Sequence, residues 1–168
     1  MSNEQWITAE ELLQKLENDP VYQQKMADKR QRRGARQARY DADAERLTAD
    51  LLAVGCAENL DQMVNSPKRL AAPVVGVLLD HLNKCKESAN REFIVRALGG
   101  AEVPFDGTAL TQCFEEDNWD YGDVRWVILN TISIVRPTGI DDWLRQLIKN
   151  DYWKDQLQKL GYPMSRIR

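Results

Sequence analysis

The chain has 168 residues, 43% apolar and 29% charged, with a net charge of −3, a composition that suits one domain with a real core. No apolar run approaches the roughly eighteen residues of a membrane span, and Met1-Ser2-Asn3-Glu4-Gln5 lacks the parts of a secretory signal, so a cytoplasmic location is expected. Three scattered cysteines, Cys56, Cys85 and Cys113, and one histidine, His81, exclude a complete disulfide framework and the usual zinc motifs; the cysteines read as small packed residues, and neither a metal nor a cofactor is expected.

Thr8-Ala9-Glu10-Glu11 is a capping box and opens a short helix to about Asn18, with Leu12, Leu13 and Leu16 as its apolar stripe. Asp19-Pro20 then offers a second cap followed by proline at the first helical position. From there to about Val54 only Gly34 interrupts, so the segment is one long helix or two joined at Gly34. Gly55 ends it as a C-terminal cap, and Leu47, Leu51, Leu52 and Val54 dock its last turns.

Charge in this long helix is segregated. Residues 25 to 39 hold Lys25, Lys29, Arg30, Arg32, Arg33, Arg36 and Arg39 against Asp28 alone, so the net −3 divides into +6 here and −9 elsewhere. Leu60, Met63 and Val64 then predict a short helix closed by Asn65-Ser66-Pro67, although residues 56 to 70 fit no repeating unit well.

The stretch from residue 71 to 150 organises the rest. Arg91-Glu92-Phe93-Ile94-Val95-Arg96-Ala97-Leu98 aligns with Arg125-Trp126-Val127-Ile128-Leu129-Asn130-Thr131-Ile132 at an offset of 34 residues. Each is preceded by another apolar segment, residues 74 to 79 and 109 to 114, and a third follows at 140 to 148. Leu78, Leu110 and Leu144 keep nearly the same period. Gly99-Gly100, Pro104 and Pro137-Thr138-Gly139 punctuate the hairpins. Such a hairpin alone leaves an apolar face in water, so neighbours must stack. Trp126, Trp143 and Trp153 are expected in the core. A last amphipathic segment with Tyr152, Trp153, Leu157 and Leu160 closes the stack, and the tail from Tyr162 is expected to be loose.

On these residues, over roughly 70 to 150, the chain resembles HEAT-like α-solenoid proteins of small bacterial type. The resemblance implies an all-α fold of stacked antiparallel helical hairpins preceded by a long charged N-terminal helix. The organisation expected is a helical extension over 1–55 and a repeat region over 56–168. It also implies a scaffold that binds macromolecules without chemistry of its own.

The residues add little that is catalytic. There is no G-x-S-x-G, no phosphate-cradling glycine loop and no H-E-x-x-H. His81 reads as a structural histidine rather than a general base. Asp141 and Asp142 diverge by about 100° on a helix and suit its N-terminus, not an acid-base pair. No catalytic residue is assigned.

Two segments suggest binding. The run from 115 to 123 places Glu115, Glu116, Asp117, Asp120 and Asp123 around Trp119 and Tyr121 between two helices, a combination of aromatic anchors and acids that suits a basic protein partner. The alternative is that both aromatics fold back over the hairpin ends. The second segment is the basic helix, where Lys25, Lys29, Arg32 or Arg33, Arg36 and Arg39 form a stripe suited to nucleic-acid phosphates. A solvated or internally paired face is the competing reading. The function expected is a non-enzymatic protein-binding module of the immunity or antitoxin kind, with nucleic-acid binding through residues 25–39 as the alternative and no membrane partner.

Overall fold

The computed structural model describes residues 8–65, 69–85, 87–116 and 124–167. Among them the fold is all-α, without strands: α1 (Ala9–Asn18), α2 (Pro20–Ala53), α3 (Leu60–Asn65), α4 (Ala72–Lys84), α5 (Ser88–Leu98), α6 (Thr108–Glu116), α7 (Val124–Val135), α8 (Asp141–Leu147) and α9 (Asp151–Lys159). No helix is long and apolar enough to cross a membrane among the described residues. The chain divides into two compact units, Met1–Arg39 and Tyr40–Arg168.

In the first unit the capping box forms as read. The Thr8 hydroxyl accepts from the Glu11 amide at 3.2 Å and the Glu11 carboxylate accepts from the Thr8 amide at 2.9 Å. The Asp19 carboxylate takes the Val21 amide at 2.8 Å, and Pro20 is the first residue of α2. Gly34 lies inside α2, which is continuous there. None of the described residues from 8 to 39 is buried.

The second unit holds the core. Leu47 and Leu51 on the last turns of α2 are buried, but Leu52 and Val54, expected to dock with them, are exposed. The reason is register: Leu47 and Leu51 are four apart on one face, and Leu52 is turned about 100° away. Gly55, at φ 81°, closes the helix. Its amide donates to Leu52 O and the Cys56 amide reaches back to Leu51 O at 2.9 Å, an arrangement that needs the left-handed backbone glycine adopts freely.

Beyond this point the helices form antiparallel pairs, α4 with α5 and α6 with α7, and successive pairs stack. One row runs α3, α5, α7, α9, each packed on the next; α4 packs on α6 in the other. The short α3 therefore has a place in the stack, as the neighbour of α5, which the sequence did not reveal. Leu78, Leu98, Leu110, Ile128, Leu129, Ile132, Leu144 and Leu157 are fully buried, each contributing about 1.5–3 kcal/mol. The order of packing is compatible with a helical repeat.

Main-chain bonds join the connections between hairpins. The Leu70 amide donates to Gly100 O and Leu70 O accepts from the Glu102 amide; one connection on, the Gly107 amide donates to Thr138 O and the Thr138 amide to Phe105 O, all between 2.8 and 3.0 Å. Gly107 is obligatory here, because a Cβ would lie 2.6 Å from Ile140 Cγ2 and 2.9 Å from Pro137 Cγ. Phe114 is met edge-on by Trp143 and by Trp153, each at 5.1 Å between ring centroids, tying α6 to α8 and α9.

Two further expectations fail. Trp126, placed in the core by its apolar neighbours, is 39% exposed, because Val127 and Ile128 take the buried face of α7. The C-terminal tail is not loose as far as it is described: Met164–Arg166 form a 3-10 turn, and Tyr162, Met164 and Ile167 pack against the core.

Candidate functional site

The basic stripe lies on α2 within the first unit. Alanine, glutamine, lysine and arginine favour helix, and no proline follows Pro20 until residue 67. At 3.6 residues per turn, Lys25, Lys29, Arg32, Arg36 and Arg39 fall within about 80° of one another, along about 21 Å of axis. Lys25, Lys29, Arg30, Arg32, Arg33 and Arg39 are exposed and Arg36 is half-buried. The lone acid of the stretch, Asp28, accepts from the Gln24 side chain at 2.8 Å. Lys25, Lys29, Arg30, Arg32 and Arg33 make no ion pair among the described residues; Arg36 and Arg39 have partners.

The acidic segment begins at the end of α6. Glu115 and Glu116 are exposed, yet each is engaged: Trp143 Nε1 donates to Glu115 Oε1 at 2.9 Å, and an Arg91 guanidinium nitrogen lies 3.5 Å from Glu116 Oε2. Asp117, Trp119, Asp120, Tyr121 and Asp123 lie outside the described residues. On the far side, Arg125 Nε donates to Phe114 O at 2.8 Å, and its guanidinium sits 5.3 Å from the Phe114 ring centroid. The first residues of α7 are thus fastened to the end of α6.

A third feature escaped the sequence. Asp43, Arg46 and Asp50 of α2 face His81, Lys84 and Cys85, at the end of α4, across a cavity of about 320 Å³ within the second unit. His81 Nε2 is 2.7 Å from Asp50 Oδ2, and Arg46 pairs with Asp43 at 2.5 Å. Lys84 pairs with Asp80 on its own helix. The buried Cys85 thiol donates to Asp43 Oδ2 at 3.3 Å. Burial first, and then the Asp43 carboxylate, push this thiol up to about 12. It stays protonated at neutral pH and is a poor nucleophile. The polar positions 43, 46 and 50 recur at helical spacing on a face that also carries Leu47, the one signal in the sequence that could have exposed the cavity.

No group of three or more His, Cys, Asp or Glu side chains fit to hold a metal ion occurs among the described residues. No protein-family model, no curated protein and no solved structure matches the chain.

Proposed function

We propose that this chain is a binding module without chemistry of its own, a HEAT-like stack of hairpins of small bacterial type whose ligand is another protein. In its concrete form the module acts in the cytoplasm as an immunity or antitoxin-like protein. Its acidic, aromatic segment 115–123 covers the basic active-site surface of a toxic enzyme.

One observation carries the reading: the described residues flanking 117–123 are fastened to the scaffold on either side. Glu115 is held by Trp143, Glu116 by Arg91, and Arg125 binds back to the Phe114 carbonyl. Binding residues are typically presented on loops held by a fixed framework, because a pre-ordered base lowers the entropy lost on docking. Trp and Tyr at such a place are the side chains that dominate protein interfaces, and the acids around them attract a basic partner.

The test is capture of the partner on the purified chain after nuclease treatment and a moderate-salt wash, repeated with Trp119→Ala/Tyr121→Ala. The expected result is one basic protein at stoichiometric level, retained by the parent chain and lost by the variant while its helical circular dichroism is kept. Equal retention by the variant would place the interface elsewhere and overturn the reading.

A further inference from the structure

Helix α2 carries a feature that the acidic segment does not use. Between Lys25 and Arg39, basic side chains return every three or four residues on one face, advancing by about 4.5 to 6 Å along the axis at each step. Lys25, Lys29, Arg32 and Arg33 are exposed and make no ion pair among the described residues. Asp28, the single acid in the stretch, is occupied by Gln24. Nothing in residues 8–39 is buried, so these charges are not there to support a core.

Four or more unneutralised cations in a row repel one another and cost the helix stability. A ligand of repeating negative charge removes that cost and releases its own counterions. We infer that the 25–39 face of α2 is a nucleic-acid site that tracks the phosphate backbone of one strand. A nucleic-acid strand carries one charge per about 3.4 Å of duplex axis, so a phosphate lies within reach at every step of the stripe. An acidic helix offers a comparable repeat, and labelled polyglutamate is the control that separates the two. The stripe contains no aromatic side chain to stack on bases, so recognition is of phosphates and independent of sequence. This site lies on a different stretch of the chain from the segment 115–123, and neither reading depends on the other.

The experiment is fluorescence polarisation of the full chain with a labelled duplex of about 20 base pairs, and with one of its single strands, between about 50 and about 200 mM salt. With four phosphates neutralised, log K against log salt has an expected slope of about −4 for duplex and about −3 for single strand, and duplex affinity falls about a hundredfold over that range. The duplex and single-strand arms decide which form is preferred. Lys25→Gln/Lys29→Gln/Arg32→Gln/Arg33→Gln is expected to abolish the slope. Arg69→Gln/Lys149→Gln/Lys154→Gln/Lys159→Gln removes the same charge from other exposed positions and is expected to leave it unchanged.

A slope shallower than about −1 in the parent chain overturns the inference without recourse to any variant. So does equal loss in both variants, or a labelled polyglutamate bound as tightly as the DNA. Trp119→Ala/Tyr121→Ala retains DNA binding if the two sites are separate, and its loss of DNA binding overturns the assignment to α2.

Discussion

Arg91 and Arg125 make the same bond in successive hairpins: each donates from Nε to a carbonyl at the end of the preceding helix, Cys85 O at 2.7 Å and Phe114 O at 2.8 Å. The carbonyls at a helix C-terminus lack partners within the helix and carry its negative partial charge, so a guanidinium there satisfies an acceptor and an electrostatic preference together. The two arginines begin the segments that align at an offset of 34 residues. Their common role gives that alignment a physical basis.

Removing one of these side chains is expected to weaken its hairpin. Arg125→Ala loses the bond to Phe114 O and the contact with the Phe114 ring, and is expected to destabilise by about 1–3 kcal/mol. Arg125→Lys is expected to recover only part, because an ammonium cannot reproduce the planar fork. Urea unfolding followed by far-ultraviolet circular dichroism measures both; stability within about 0.5 kcal/mol of the parent for Arg125→Ala would remove the bond from any structural role.

Two glycines behave oppositely when changed to alanine. At Gly34 a Cβ meets nothing within 4 Å, so Gly34→Ala is expected to stabilise α2 by up to about 1 kcal/mol. Gly107→Ala drives its Cβ into Ile140 and Pro137 and is expected to cost about 1–3 kcal/mol. Thermal melts of the pair check the contrast in sign, with the α2 change read as added helicity.

Arg136, the residue after α7, has φ 50° and is the one described non-glycine residue at positive φ, directly before Pro137. A Cβ is strained there by about 1 kcal/mol. Arg136 is exposed, so Arg136→Gly is expected to raise the unfolding midpoint, whereas Arg136→Val should lower it. A drop with glycine would mean that the side chain contributes more than its backbone costs.

The Cys85 thiol sets a pH dependence. In the unfolded chain it titrates at its ordinary 9.0, but in the fold only at about 12. Below pH 9 both states hold the proton, and the contribution to stability is complete. Between about 9 and about 12 the unfolded chain releases a proton that the native chain keeps, so stability falls as pH rises. Cys85→Ala is expected to flatten that fall. Asp43→Asn, which removes a carboxylate opposing thiolate formation, is expected to shift its upper limit downward. In the parent at pH 8, alkylation should reach half-buried Cys56 well before Cys85.

Much of the fold was legible because its signals are local. Thr8 and Glu11 are three residues apart, Gly55 needs only its own backbone angle, and Arg91 and Arg125 announce their helices by the apolar runs that follow. What was hidden depends on how distant faces meet. Asp50 and His81 are 31 residues apart and Asp43 and Cys85 are 42 apart, so their cavity follows from the register of α2 on α4, which no window of sequence encodes. Trp126 was misread for a related reason: an apolar run continuous around a helix does not say which side faces water, and packing against α5 and α9 decides it. Of the candidate site residues, Glu115 and Glu116 turned out to be engaged within the scaffold, and the basic stripe lies on the helix expected for it.

The bonds from Leu70 to Gly100 and Glu102, and from Thr138 to Phe105 and Gly107, belong to the main chain. At these connections the spacing between layers is therefore held by peptide groups as well as by the side chains packed between helices. Substitutions at the apolar interfaces can loosen or tighten a layer, yet these ties use backbone atoms that every residue but proline supplies. Such a molecule can change the character of its exposed surfaces while these backbone ties stay in place, like the rungs of a ladder repainted but never moved, with Gly107 a rung that admits no larger side chain without strain.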